Sequence, residues 1–268
     1  MFIYGIQLKM IPYSPIEYVP FHVIPLPEYA GFGYDCIEDD YKVIRWVTFS
    51  NASDYDTEWD YTPLYEIYSL RSKSWRKVKI DSTLSLEYHR SGQLYLDGMC
   101  HWLSFKTHYS GEYLVSYNGP YLVSFDMSNE EYYTTLVPLE IPSDIPSESF
   151  AFSSMKRYLF PLNGSVALVA NYNRTRNIYI YILVEIGKKE TWNKLFILGP
   201  LPYSARPFGA GSMGNILFET INEQEDSELF WFDISTHKIT KIGLKKDFSR
   251  FFIVIYRKSI LQIEEINN

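Results

Sequence analysis

A chain of 268 residues with 46% hydrophobic content and a mean hydropathy of −0.17 can bury a sizeable core as one globular unit. A formal charge of −7 and a pI near 5.3 argue against a nucleic-acid backbone as partner and for a basic protein surface. No run of about 18 apolar residues and no basic n-region ahead of an apolar core occurs, so neither a membrane span nor a secretory leader is expected. A cytoplasmic location follows as the expectation, with Cys36 and Cys100 as two buried, reduced thiols, because they form no CxxC or Cys/His zinc pattern.

An aromatic share of 18%, with 24 Tyr, 17 Phe and 6 Trp, suits half-buried pleated strands. In chain order, "IQLKMIP" (6–12) reads as a lone outer strand, followed by punctuation at Pro12, Pro15, Pro20, Pro25 and Pro27. "GFGYDCIEDDYKVIRW" (31–46) reads as a hairpin. Gly31 and Gly33 lead into the first strand, "CIEDD" forms the turn, and "YKVIRWV" alternates as a returning strand should. A phosphate loop would feed a helix and a calcium loop would need Asp or Asn at alternating positions. The carboxylates of Asp35, Glu38, Asp39 and Asp40 are therefore expected in solvent.

Four further hairpins share one pattern, a β-rich run, a polar turn and a second β-rich run: 64–80, 121–137, 178–198 and 229–244. With Trp75, Tyr132, Trp192 and Ile239 taken as equivalent, the steps are 57, 60 and 47 residues, close to the roughly 40 to 50 residues and upward of a four-stranded propeller blade. Other pairs fill the intervals: "QLYLDGMCHWLSF" with its Asp97-Gly98 turn, "SFAFSS" (149–154) with "SVALVA" (165–170), and "PFGAGS" with "NILFETI". Radially arranged small sheets cover one another and leave only short edges, which one sheet alone does not achieve. The expected architecture is all-β, a β-propeller of four-stranded blades spanning 1–268 with an incomplete first blade. "FFIVIYRKSILQIEE" (251–265) is the candidate for closing the ring against the N-terminus. A two-sheet β-sandwich stays open as the alternative.

The chemistry-bearing residues do not assemble a catalytic pattern. His22, His89, His101, His108 and His237 are scattered, with no compact ligand spacing. Cys100 and His101 are neighbours in a strand and should diverge to opposite faces. "GAGSMG" (209–214) is formally a GxGxxG, but the strand-like "NILFETI" follows where a dinucleotide site requires a helix. No metal or cofactor is expected. Two acidic stretches suit binding instead: Asp54, Tyr55, Asp56, Glu58, Trp59 and Asp60 in "SDYDTEWDYTP", and Glu223, Glu225, Asp226 and Glu228 in "NEQEDSE". The first combines charge steering with aromatic anchors; the bland reading of both is a solvated hairpin tip.

"GFGYDCIEDDYKVIRW", "EIYSLRSKSWRKV", "LYLDGMCHWLSF" and "LVSFDMSNEEYYTTLVP" resemble, in order and spacing, the F-box-associated domain of plant F-box proteins. "GKKETWNKLFILGPLPYSARPFGAGSMGNILFE" and "RFFIVIYRKSILQI" are similar to its S-locus F-box branch. The resemblance implies a kelch-like propeller that captures a target, while an N-terminal F-box binds a Skp-type adaptor and, through it, a cullin-based ubiquitin ligase. For the S-locus branch it implies basic S-RNases as targets in the pollen-tube cytosol. It also implies core roles for Trp75 and Trp102. No F-box is found in residues 1–268, so this chain alone is expected to capture a target without docking to the adaptor. The competing readings are an F-box-associated domain with a different protein target, and a propeller lectin or enzyme, which would need a convergent polar cluster over the central channel.

Overall fold

Tight turns fix the register. Asp97 and Gly98 hold φ of 49° and 81°, and Asn163 and Gly164 hold 51° and 77°. Two consecutive positive φ values give the twist that antiparallel strands need, and Asp, Asn and Gly reach them at low cost. A computed structural model describes residues 2–3, 6–7, 23–51, 64–86, 93–110, 113–138, 155–172, 176–188, 191–201, 204–211, 214–221 and 227–245, and every regular element among them is a β-strand.

A two-residue pairing joins β1 (Phe2–Ile3) to β2 (Ile6–Gln7), so the start of "IQLKMIP" has a partner. Four larger antiparallel sheets follow in chain order. The first is β3 (Val23–Asp35), β4 (Asp40–Asn51), β5 (Leu64–Ser69) and β6 (Ser74–Val78). In the second, β7 (Leu84–Leu86) and β8 (Leu94–Leu96) both pair with β9 (Met99–Ser110), followed by β10 (Tyr113–Asp126) and β11 (Tyr132–Leu136). The third is β12 (Met155–Leu162), β13 (Ser165–Tyr172), β14 (Asn177–Leu183) and β15 (Trp192–Leu198). The fourth is β16 (Ser204–Ala210), β17 (Asn215–Ile221), β18 (Ser227–Asp233) and β19 (Lys238–Lys245). Separate antiparallel sheets, four strands deep with β7 and β8 sharing one edge of β9 in the second, are blades; a sandwich would gather the strands into two sheets.

The proposed equivalence holds residue by residue. Trp75 pairs with Tyr68, Tyr132 with Phe125, Trp192 with Leu183 and Ile239 with Phe232, each at the start of an outermost strand. One expected pairing is corrected: "SVALVA" pairs with Met155–Leu162 across the Asn163-Gly164 turn. "SFAFSS" lies outside the described residues.

Alternation on the inner strands sorts side chains between neighbouring sheets. Cys100 and Trp102 of β9 pack with Ala30, Ile44, Trp46 and Tyr65 of the first sheet. Leu103, on the opposite face, packs with Leu159 and Leu168 of the third. Val169 and Ile180 turn the other way, toward Ile216 and Phe218 of the fourth. Sheets buried on both faces explain unbroken apolar runs such as "VALVA". Trp102 is core, as expected. Trp75 is half-buried instead, because its strand is the outermost; its ring carries the Arg45 guanidinium at 3.8 Å.

The Gly-x-Gly of the first sheet has a packing function. A Cβ on Gly31 would lie 2.7 Å from Cys100 Cβ, and one on Gly33 would lie 2.5 Å from the Tyr95 ring. Both glycines sit within β3, not ahead of it, and let the first sheet approach β8 and β9 closely.

Candidate protein-interaction surface

The hairpin 31–46 forms as expected, with β3 and β4 paired from Val23↔Asn51 to Asp35↔Asp40 around the turn 36–39. Its carboxylates do not all face solvent. Asp35 and Asp40 are buried, whereas Glu38 and Asp39 are exposed. Asp35 Oδ1 accepts hydrogen bonds from the backbone N–H of Ile37 (2.9 Å) and Glu38 (3.1 Å) and from Ser128 Oγ (2.7 Å). Its Oδ2 accepts from Lys42 Nζ at 2.7 Å. Burial alone would raise the Asp35 pKa, but the Lys42 ammonium, the Ser128 hydroxyl and the two turn amides outweigh it and hold the carboxyl well below its ordinary range. Burial likewise opposes the charge on Lys42, and Asp35 and Glu130 more than offset it, so its pKa is raised.

This cluster ties two blades together at their turns. Lys42 Nζ also donates to the Met127 carbonyl and to Glu130 Oε1, each at 3.1 Å, and Arg76 pairs with the same Glu130. Asp40 accepts from Ser69 Oγ (2.5 Å) and the Arg71 amide (2.8 Å), which joins the 36–39 turn to the 70–73 turn of the same sheet. The hairpin's acids are thus architectural.

Antiparallel alternation puts the β3–β4, β5–β6, β10–β11 and β14–β15 turns at one end of their sheets. Ser128 on Asp35, and the Gly187 amide donating to Thr135 Oγ1 at 2.8 Å, tie these ends together across three sheets. The β16–β17 turn of the fourth sheet meets the β12–β13 turn of the third, a Cβ on Gly214 lying 3.5 Å from Asn163 Oδ1, so the β4–β5 and β17–β18 connections leave from the opposite end, after Asn51 and Ile221. These are the connections that carry the two acidic stretches. Asp54, Tyr55, Asp56, Glu58, Trp59, Asp60, Glu223, Glu225 and Asp226 lie outside the described residues. Glu228 is within β18, not in a loop, and its carboxylate pairs with Lys241 Nζ at 2.5 Å. It is therefore already committed within its sheet.

The remaining sequence candidates resolve structurally. Among the described residues no group of three or more His, Cys, Asp and Glu side chains is placed to hold a metal. Cys100 is buried and Cys36 is exposed at the turn, and both are free thiols, so only one of the two expected buried thiols is buried. His101 and Cys100 diverge as expected; His101 Nδ1 lies 2.9 Å from Ser124 Oγ. Burial lowers the His101 pKa to about 4, leaving it neutral near pH 7. "GAGSMG" ends β16 and turns into β17, closed by the Gly211 amide donating to the Asn215 carbonyl at 2.7 Å, with no helix to receive a phosphate. Sequence reasoning missed the Asp35–Lys42–Glu130 cluster because its third member is 88 residues from the second. The seven-residue spacing of Asp35 and Lys42 across one turn was the available signal.

Repeated four-stranded antiparallel blades, packed face to face with their turns aligned, define a propeller-type module. Residues 22–263 match the model of the F-box associated beta propeller domain, and the chain belongs to that family. It is 24% identical over 234 residues to F-box protein CPR1 of Arabidopsis thaliana, covering 81% of this chain and 52% of that protein. It is 27% identical over 179 residues to an F-box/kelch-repeat protein of the same plant, covering 66% and 42%. The chain spans about half the length of the curated relatives it matches.

Proposed function

We propose that this chain is the target-capturing domain of an F-box protein in an SCF-type ubiquitin ligase, and that its target is a basic protein, an S-RNase in the pollen-tube cytosol. The family match over residues 22–263 carries the reading. It is supported by the formal charge of −7 and by two acidic stretches carried on connections that leave the blades from one end. A negative surface raises the encounter rate of a cationic target and discriminates by charge complementarity. The domain itself is non-catalytic. The Skp-type adaptor and cullin engage an F-box that stands N-terminal to such a domain, and partner subunits perform ubiquitin transfer.

The test is reconstitution. An F-box fused ahead of residue 1 and assembled with adaptor, cullin and ubiquitin-charged conjugating enzyme should modify an S-RNase mixed with it. The same F-box without this domain should not. Equal modification by both would overturn the assignment of target capture to this domain.

A further inference from the structure

The acidic chain carries a strongly basic edge on its first sheet. Between Arg71 and Lys79 stand Arg71, Lys73, Arg76, Lys77 and Lys79, all exposed, with no carboxylate in the interval. Five positive charges in nine residues leave the rest of the chain at a formal −12. The nearest preceding acid, Glu66, is buried and held by Arg45 Nε and Nη2 at 3.0 and 2.6 Å. These residues form the β5–β6 turn and β6, the outermost strand of the first sheet, which pairs with β5 alone among the described residues.

Lysines on an exposed edge also serve to block unwanted strand pairing. That service does not require this density here. The equivalent outermost strand of the second sheet, Tyr132–Leu136, contains no Lys or Arg and follows Glu130 and Glu131. That of the third, Trp192–Leu198, contains Lys194 alone. The fourth, Lys238–Lys245, is also cationic, with Lys238, Lys241 and Lys245, of which Lys241 pairs with Glu228 much as Arg76 of the first pairs with Glu130. The first sheet therefore concentrates cations at an edge that the second leaves without any and the third with one, and its run from Arg71 to Lys79 is the denser of the two cationic edges.

We infer that the β6 edge is a docking surface for an extended, acidic segment of a second protein, which adds alongside β6 as a fifth strand. Main-chain hydrogen bonds would supply the pairing, and Lys73, Lys77 and Lys79 would select carboxylates. The occupant is opposite in charge to the basic target, so this surface is separate from target capture.

A fluorescein-labelled peptide of alternating Glu and Thr, titrated with the whole chain at low and moderate salt, tests the inference by anisotropy. The expected result is binding that weakens with salt and falls about tenfold or more in K73E/K77E/K79E. A peptide of the same charge with Pro at alternate Thr positions should lose binding, because proline cannot join a ladder. Absence of binding, equal affinity in the triple variant, tolerance of the prolines, or tighter binding of single-stranded oligouridine at the same salt would each overturn it. Circular dichroism confirms that the variant folds. If its fold were lost, K77E/K79E, which spares the turn, gives the same reading. Retained capture of a basic protein by the triple variant separates this result from the proposed function.

Discussion

Asp35 and Lys42 form a buried ion pair, 2.7 Å from Oδ2 to Nζ, at the point where the turns of the first two blades meet. Lys42 remains charged there because Glu130 and the Met127 carbonyl from the second blade complete its shell. Removing one partner from such a site leaves an uncompensated charge. Asp35→Asn should lower unfolding free energy by about 3 kcal/mol in urea denaturation. Because the folded Asp35 pKa lies below its unfolded value, the contribution is complete above the unfolded pKa and lost as pH falls below about 4 toward the folded one. The deficit of Asp35→Asn relative to the unaltered chain should therefore shrink as the solution is acidified.

Gly33→Ala and Gly31→Ala test why the first sheet carries a Gly-x-Gly. The added methyl groups meet the Tyr95 ring and the Cys100 side chain inside contact distance. Each should cost about 1–3 kcal/mol. Gly98→Ala, whose Cβ would meet nothing within 4 Å, should instead cost only the strain of its φ of 81°. Thermal melts of the three variants distinguish overpacking from backbone strain, and pairing Gly31→Ala with Cys100→Ala should recover part of the Gly31→Ala loss.

His101 makes stability depend on pH in a different window. Its folded pKa of about 4 lies below the ordinary 6.5, so between these values the unfolded chain binds the extra proton. Stability should therefore rise with pH from about 4 to 6.5 and be flat above, the window being worth up to about 3 kcal/mol. His101→Gln should flatten that slope in denaturation curves collected across the range.

How far the sequence disclosed this arrangement can be seen residue by residue. The repeat of Trp75, Tyr132, Trp192 and Ile239 is visible because an outermost strand restarts after each polar turn, and the same four residues stand first or second in those strands in the fold. Local turn chemistry was legible at Asp97-Gly98 and overlooked at Asn163-Gly164, which displaced one strand partner. The burial of Asp35 and Asp40 was not legible. Asp40 finds Ser69 on the neighbouring strand, while Ser128 on Asp35, and the Glu130 that shares Lys42 with it, come from the second sheet and meet the hairpin only when the blades pack. Most of the acidic candidates lie outside the described residues, while Glu228 lies in strand β18 beside Lys241, a placement that the acidic composition of its stretch does not reveal.

The two acidic stretches carry a kinetic prediction. Replacing Asp54, Asp56, Glu58 and Asp60 by their amides, or Glu223, Glu225 and Asp226 by theirs, should slow association with a basic target and reduce its salt dependence, read by surface plasmon resonance. Glu228→Gln should leave the on-rate unchanged. It should instead cost about 0.5 kcal/mol or less of stability through the partly exposed Lys241 pair.

The most direct measurement is binding of the whole chain to a panel of basic S-RNase allelic forms at low and moderate salt, by pull-down and then titration. Selective binding of particular forms, weakening as salt rises, is the predicted result. Failure to bind any form at low salt, in a chain shown to be folded, would contradict target capture of an S-RNase by this domain.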